Sequence, residues 1–226
     1  MNIQIDSIIR NRFPGVKIGV LFVQGVNNKN TGEQIQLLTR KIEEDIRKTY
    51  RLENVALIPK INDWRQAYRS FGCKPSEYRS SVEALLRRIL NGKELPTINP
   101  IVDIYNLISI KYLLPAGGGN LDKIKGDIRL TVAQGDEYFV MLGTSTPTPI
   151  QPGEVVYLDD KEVLCRAWNY RESDTTKITH DTHNVYLLLE GLQNTSVEEI
   201  TGALSELADL ISVYCGGTIS STLQIF

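Results

Sequence analysis

Cysteine is scarce in this sequence. Its 226 residues include Cys73, Cys165 and Cys215, which lie far apart and form no CxxC pair. An odd number of separated cysteines argues against a disulfide framework and is typical of reduced thiols in a cytosolic protein.

Long apolar runs and an excess of charge are also missing. No apolar run approaches the ~20 residues that span a bilayer, and the opening MNIQIDSIIRNRF is too short and too interrupted for a signal peptide. The net charge of −2 creates no overall field that attracts nucleic acid. We therefore expect a soluble, cytoplasmic protein with no membrane partner.

The composition that remains is that of a globular protein, with 42% apolar and 23% charged residues. A chain of this length can bury one substantial core. It contains no repeat, no low-complexity tract and no obvious linker. These features predict a single domain over residues 1–226. The mixture of helical and strand patterns predicts the α+β class, with helices packed on layered mixed β-sheets.

Positive charge is concentrated in one stretch. Between Lys60 and Lys93, eight lysines and arginines accompany three acidic residues, so this stretch carries +5 and the rest of the chain −7. The asymmetry indicates one basic face on an acidic body. Its arginines suit phosphate oxygens. The alternative is a solvated helix face with a Glu83–Arg87 ion pair.

The first third of the chain has an α/β pattern. The apolar run at 16–23 predicts a buried strand. Thr31 is expected to begin a helix that ends near Tyr50. A later helix carries Trp64 and Tyr68 on one face until Gly72 ends it.

Two capping boxes predict further helix starts. Ser80 is followed three residues later by Glu83, and Ser196 by Glu199, each ahead of a helical apolar stripe. Asn99 followed by Pro100 predicts a third helix start. The segment after Asn99 is apolar nearly all round, so the pattern leaves a buried helix and a central strand open.

The rest of the chain is predicted to be mainly β. A loop is expected over Pro115–Asn120, and a last strand ends at Phe226. The strands expected between them are Ile128–Ala133, Glu137–Leu142, Val155–Leu158, Val163–Tyr170 and Val185–Glu190.

Several polar residues are candidates for chemistry. His180 and His183 form an HxxH pair, which fits a polar turn better than a metal site because no third ligand is near. The glycines at 117–119 match no phosphate-loop motif but suggest a backbone that something approaches closely. Asn106 and Glu190 lie among apolar residues, so each is either buried with a partner or, for Glu190, just past a strand end in solvent.

The run NPIVDIYNLISIKYLLPAGGGNLDKIKGDIRLTVAQGDEYFVMLG resembles the tRNA-editing domain that the third and fourth modules of the phenylalanyl-tRNA synthetase beta chain form. YRSFGCKPSEYRSSVEALLRRIL and THDTHNVYLLLEG resemble flanking parts of that domain, so the likeness covers about residues 60–192. The residues that match its pattern are Val102, Asp103, Asn106, Pro115, Asp122, Lys123, Ile124, Gly126, Ile128, Arg129, Ala133 and Gly135.

The resemblance implies an α+β sandwich fold and hydrolysis of the ester in mischarged aminoacyl-tRNA. The chain has no counterpart of the synthetase's catalytic core, so we expect a free-standing homologue that acts in trans on the tRNA acceptor end. No cofactor, no metal and no DNA partner are expected. The alternatives are a non-catalytic RNA- or amino-acid-binding module of the same fold and, far behind it, a metal hydrolase using His180 and His183.

The resemblance also implies site residues, which fall into three groups. The expected catalytic residues are Glu190, Asn106, Gly117 and Gly118; the substrate-binding residues are Trp168, Tyr105 and Asn184; the RNA-binding residues are Arg69, Arg79, Arg87 and Arg88.

The sequence departs from the family's pattern at three places. Gly117 occupies the position of a family histidine, and Glu190 falls two residues beyond the family's editing glutamate, an offset that keeps the same strand face. The residues 168–171 replace a usual Gly-Gly and should reshape the pocket.

Overall fold

The protein is built from two β-sheets and surrounding helices, in a computed structural model that describes residues 2–30, 32–219, 224 and 225. The helices are α1 (Ser7–Arg12), α2 (Glu33–Thr49), α3 (Pro59–Ser70), α4 (Ser81–Leu90), α5 (Pro100–Tyr112) and α6 (Val197–Tyr214), with 3₁₀ turns at Leu52–Leu57 and Leu121–Lys123. The strands are β1 (Ile3–Ile5), β2 (Lys17–Gln24), β3 (Ala116–Asn120), β4 (Ile128–Val132), β5 (Val155–Leu158), β6 (Val163–Arg166), β7 (Arg171–Glu172), β8 (Asn184–Gly191), β9 (Thr218–Ile219) and β10 (Gln224–Ile225).

The first sheet has the order β1-β4-β5-β6-β7, with β1 parallel to β4 and the other pairs antiparallel. The second sheet has the order β10-β2-β8-β3, with β9 also paired to β2, and its pairs are antiparallel. The predicted α+β class with mixed sheets is confirmed.

The second sheet forms the middle layer of the fold. On one face of β8, Tyr186 and Leu188 pack into the core shared with the first sheet and α3. On the other face, Val185, Leu187 and Leu189 pack under α5 and α6. Because both faces of β8 are buried, this strand shows an unbroken apolar run, as does β2.

The apolar segment after Asn99 is a helix. The Asn99 side chain caps α5 by accepting from the Val102 amide at 3.1 Å. The fully buried Asn28 side chain accepts from the Ile101 amide at 2.9 Å and donates to Asn99 Oδ1 and to the Thr179 carbonyl. Two side chains therefore satisfy helix amides that have no intrahelical partner.

Of the two predicted capping boxes, only one forms. At Ser196 both reciprocal hydrogen bonds with Glu199 are present. The box predicted at Ser80 is wrong. There the Glu83 carboxylate is buried and accepts instead from Arg65 at 2.7 Å and Arg87 at 2.8 Å, because two charged donors outcompete one backbone amide.

The β-rich part differs from the sequence prediction in three places. The glycine-rich segment expected as a loop is the edge strand β3, paired with β8. The segment 137–142 forms only isolated bridges, since the Glu137 carboxylate closes a turn on the Gln134 and Gly135 amides. The strand expected at 163–170 ends at Arg166, because Ala167 and Trp168 take the left-handed backbone conformation.

At the chain ends, β1 and α1 have no counterpart among the predicted elements. The helix expected to begin at Thr31 starts at Glu33, and Thr31 itself lies outside the described residues, as does Phe226 at the end of the expected last strand. None of the helices formed by residues 2–219, with 31 set aside, is long and apolar enough to cross a bilayer. The three cysteines are free thiols.

We expect Asn28→Ala to lower the free energy of unfolding by about 2–3 kcal/mol, because the buried Ile101 amide and Thr179 carbonyl lose their partner. Urea unfolding followed by circular dichroism measures the change. The matched control is Asn27→Ala at the exposed neighbouring position, which should stay within about 0.5 kcal/mol of the parent protein. Equal effects of the two variants would contradict a capping role for Asn28.

The two serines should respond differently to alanine. Ser196→Ala should cost about 1 kcal/mol of unfolding free energy because its cap bond to the Glu199 amide is lost. Ser80→Ala should be neutral or slightly stabilising, because the buried Ser80 hydroxyl has no hydrogen-bond partner among the described residues. A cost at Ser80 equal to that at Ser196 would show that the Ser80 cap forms in solution.

Candidate functional site

A cleft with a volume of ≈ 300 Å³ opens between helices α4 and α5 and the edge strands β3 and β7. Its walls are mainly apolar, with side chains that include Leu85, Ile98, Val102, Leu142, Leu164 and Leu188. A concave apolar cleft with a few inward polar groups is the usual form of a small-molecule site.

Glu190 lies at the inner wall of the cleft and is only 3% exposed. One carboxylate oxygen accepts from the Tyr157 hydroxyl at 2.6 Å and the Trp168 indole N–H at 2.7 Å, and the other from the Asn169 amide at 2.8 Å. Burial raises the pKa of Glu190, and these three donors oppose the rise. The residue is thus in the strand and buried with partners, which excludes the solvent-exposed alternative.

Asn169 holds this arrangement from the other side. Its side-chain oxygen accepts from the Tyr68 hydroxyl of α3 at 2.9 Å, and its carbonyl accepts from the Ser81 amide at the start of α4. The left-handed backbone at Ala167 and Trp168 turns the Trp168 indole toward Glu190. Trp168 is fully buried, so it forms the rear of the cleft.

Glu172 on β7 is a second carboxylate of the cleft and is half-buried. Its Oε1 accepts from the Gly118 amide at 3.2 Å. Burial raises the pKa of Glu172 to about 7, against the lowering effect of that hydrogen bond. Near neutral pH this carboxyl is therefore divided between its protonated and ionised forms.

Three more polar side chains reach the cleft without a partner. Asn106, Tyr105 and Tyr186 are 8%, 7% and 5% exposed. Within the described part of the chain none of these three side chains makes a hydrogen bond. Burial raises the pKa values of both tyrosines well above their usual range, so their hydroxyls remain protonated donors. Polar groups buried this way are normally satisfied, and here a ligand or water can reach them.

The glycines of β3 form a wall of bare backbone. A Cβ on Gly117 would meet Glu172 Oε1 at 2.9 Å, and one on Gly119 would meet the Tyr186 hydroxyl at 2.8 Å. The sequence predicted that another group approaches the backbone of these glycines closely. In the structure the approaching groups are the side chains of Glu172 and Tyr186. The Gly118 amide already donates to Glu172, so an oxyanion would have to displace that carboxylate to use it.

Six of the seven residues expected to act on substrate lie together. Glu190, Asn106, Gly117, Gly118, Trp168 and Tyr105 line the same cleft. Asn184 does not. It begins β8 at the far end, where its side chain donates to Asp122 at 2.9 Å and accepts from the Gly25 amide at 3.1 Å.

The four arginines expected to bind RNA have different surroundings. Arg69, Arg79 and Arg88 are exposed, and Arg88 donates only to the Glu94 carbonyl. Arg87 is half-buried and its guanidinium pairs with the buried Glu83, so its charge is used within the protein. Ala84 lines the cleft. Arg88 lies four residues later on the same side of α4, one helical turn away from the cleft.

The histidines stay apart from the cleft. His183 Nδ1 lies 3.1 Å from the Val26 carbonyl, and His180 is exposed in the preceding turn. Among the described residues no group of three or more histidine, cysteine, aspartate or glutamate side chains is arranged to hold a metal ion.

Sequence reasoning missed several cleft residues, namely Tyr186, Tyr157 and Glu172, and it anticipated Asn169 only as part of the segment 168–171. The period of two along β8 gives a signal for one of them, because Tyr186, Leu188 and Glu190 share a face. Nothing local distinguishes the others, since their positions depend on which strands pair.

A family model and two similar proteins place the chain among known proteins. A family model described as the B3/4 domain matches residues 63–216. Over 159 residues the chain is 25% identical to the phenylalanine–tRNA ligase beta subunit of Fusobacterium nucleatum subsp. nucleatum, an alignment that covers 60% of this chain and 20% of that protein. The chain thus spans about a fifth of this relative's length.

A solved structure supports the assignment at the level of fold. The chain is similar to an N-terminal fragment of the phenylalanyl-tRNA synthetase beta subunit from Pyrococcus horikoshii, with a TM-score of 0.50 and 15% identity, over 96% of this chain and 50% of that one. Since the B3/4 model covers well over half of the sequence, the protein belongs to the B3/4 domain family.

Proposed function

We propose that this protein hydrolyses mischarged aminoacyl-tRNA in trans, binding the acceptor end of the tRNA and releasing the wrong amino acid. The observation that carries the proposal is the cleft, whose largely apolar lining includes the side chains of Asn106, Tyr105 and Tyr186, which have no partner in the described chain. Such a site fits an aminoacyl group. The apolar walls take the side chain, and the polar groups orient the ester.

The reaction requires little chemical activation. Water adds to the ester carbonyl, the bond from the carbonyl carbon to the ribose oxygen breaks, and the ribose oxygen takes up a proton. The protonated hydroxyls of Tyr105 and Tyr186 and the amide of Asn106 are the donors best placed to stabilise the developing oxyanion. The Gly118 amide, engaged by Glu172, is less suited to that role than the sequence suggested.

Glu190 has a supporting role in this scheme. Three protein donors already occupy its carboxylate, so it fixes Trp168, Asn169 and Tyr157 around the cleft. Its contribution to specificity acts through the shape of the wall that these residues form.

The tRNA would lie over the exposed arginines beside the cleft. Arg79 precedes α4, whose first residue lines the cleft, and Arg88 lies on the same side of that helix. Arginines at the rim suit backbone phosphates, which position the nucleic acid without reading its sequence. Arg69 extends this exposed basic surface on α3.

The second candidate is a non-catalytic module that binds amino acid or RNA in the same cleft. Gly117 in place of the family's histidine and the engaged Gly118 amide favour it. Turnover of any charged tRNA excludes this candidate.

A panel of tRNAs carrying wrong amino acids tests the proposal. At least one ester should be hydrolysed faster than in buffer, and Asn106→Leu should slow that hydrolysis about 100-fold or more, because a transition-state donor is lost. The melting temperature should hardly change, since the Asn106 amide makes no hydrogen bond in the described protein. Spontaneous rates on every charged tRNA would refute the proposed activity.

Binding of tRNA should depend on salt through the exposed arginines. Replacing Arg79 and Arg88 together by glutamate should weaken binding and flatten the plot of log affinity against log salt by roughly two units. Arg87→Gln is the matched control: it should leave the slope unchanged and lower stability, because the buried Glu83 loses one of its partners. An unaltered slope in the double variant would place the RNA elsewhere.

A further inference from the structure

Glu172 is half-buried and has fewer partners than several of the buried carboxylates in the described part of the chain. Glu154 pairs with Arg166, Glu83 with two arginines, and Glu162 with Lys161, while Glu190 has three neutral donors. The Glu172 side chain accepts one backbone hydrogen bond, from Gly118, and within residues 2–219 it forms no ion pair. A carboxylate held in an apolar cleft with a single neutral donor is costly unless something charged joins it.

The cleft wall supplies no cation to Glu172. Arg171 is the neighbouring residue, but its guanidinium lies 4.4 Å from the Tyr170 ring centroid and donates to the Tyr170 carbonyl. The groups that face Glu172 are Cys165 across the strand pair, Tyr105 from α5 and Tyr186 from β8, and all three are uncharged near neutral pH because burial raises their pKa values. Glu190 adds a second acidic group to the same cavity.

The unpartnered side chains show that the cavity is built for a ligand and not merely left open. Asn106, Tyr105 and Tyr186 all line the cleft and are each more than nine-tenths buried, and no protein group within the described chain hydrogen-bonds to their side chains. A ligand that fits must therefore combine polar atoms for these groups with an apolar body for the walls and a positive charge for Glu172.

We propose that Glu172 binds the ammonium group of an aminoacyl ligand whose remaining atoms fill the apolar cleft. An ammonium offers three donors and a full charge, which match the unoccupied lone pairs of the carboxylate. The inference rests on the proposed function for the identity of the ligand as an aminoacyl ester; the ammonium site itself follows from the cleft alone.

The pH dependence of binding follows from the burial of Glu172. In the empty protein its pKa is raised to about 7, so part of the population is protonated at neutral pH. Only the ionised form attracts an ammonium group. Affinity should therefore rise between pH 6 and pH 8. Of the other groups that face Glu172, the two tyrosines and Cys165 stay neutral over this range. Glu190 lies in the same cavity and its pKa is also raised by burial, so the Glu172→Gln variant is needed to assign the rise to Glu172.

Calorimetric titration of the whole protein with amino alcohols tests the site without tRNA. L-Leucinol and L-phenylalaninol carry the ammonium and an apolar side chain, and their amines stay protonated over this pH range. The wild-type protein should bind them and should bind their N-acetyl derivatives at least tenfold more weakly. Nα-Acetyl-L-lysinol identifies the source of the charge: binding at the level of leucinol assigns the site to a side-chain ammonium, and weak binding assigns it to the α-ammonium.

Glu172→Gln keeps the acceptor for the Gly118 amide and removes the charge. It should lose at least tenfold in affinity for the amino alcohols and lose the rise between pH 6 and pH 8, while the exposed Glu44→Gln control behaves as wild type. No binding of any amino alcohol at millimolar concentration, equal binding of the N-acetyl forms, or equal affinity of Glu172→Gln and wild type would each overturn the proposal.

Thermal unfolding shows whether the variant is folded and gives an independent readout. The native state holds a proton on Glu172 up to about pH 7, whereas the unfolded carboxyl loses it near its ordinary pKa, so ionisation of Glu172 destabilises the native state as pH rises. Glu172→Gln should therefore raise the melting temperature at pH 8 and raise it less at pH 5. An equal effect at both pH values would contradict a raised pKa of this half-buried, unpaired carboxylate.

The two proposals fail separately. Amino-alcohol binding that depends on Glu172, with no hydrolysis of any charged tRNA, would leave the ammonium site standing and refute the deacylase. Hydrolysis of a mischarged tRNA that is unchanged by Glu172→Gln, with no amino-alcohol binding, would support the deacylase and refute the ammonium site.

Discussion

The carboxylate of Glu190 is the interaction on which the rest of the structure depends. It lies on the second sheet and receives hydrogen bonds from Tyr157 of the first sheet and from Trp168 and Asn169 after β6. Asn169 in turn accepts a hydrogen bond from Tyr68 of α3 through its side chain and one from the Ser81 amide at the start of α4 through its carbonyl. One buried carboxyl group thereby joins both sheets and two helices. Its desolvation is offset only because all three donors are present together.

Trp168 completes this junction by packing. Its ring meets Trp64 edge-on at a centroid distance of 5.0 Å and Phe13 at 4.8 Å. The left-handed backbone at Ala167 and Trp168 is unfavourable for residues with a side chain, and it persists because the buried Glu154–Arg166 pair and the indole hydrogen bond fix it from both sides. These contacts hold the rear wall of the cleft in place.

Local pattern predicted the elements whose signal lies within a few residues, and failed where a distant side chain decided the outcome. The Ser196 box and the Asn99 cap formed as expected because their acceptors also serve a second donor. Glu199 accepts from Lys60 through its other oxygen, and Asn99 Oδ1 accepts from Asn28 as well as from the Val102 amide. The Ser80 box failed because Arg65, fifteen residues upstream, takes the carboxylate that would complete it. The cleft was anticipated at Asn106 and Glu190, polar residues among apolar ones. Glu172 stayed hidden because its burial results from the edge of one sheet meeting the edge of the other.

The bare backbone of β3 has a consequence for how the cleft can change over evolution. A Cβ at Gly118 would collide with the Tyr186 carbonyl of the neighbouring strand, whereas one at Gly117 would require only the Glu172 carboxylate to move. A side chain at Gly118 is therefore excluded unless the backbone shifts. Changes in ligand size and shape are easier to accommodate on the facing helix α4, where Ala84 and Leu85 line the opening. Relatives that bind different ligands should accordingly differ at the cleft residues of α4 and α5, while the position of Gly118 on β3 keeps its glycine.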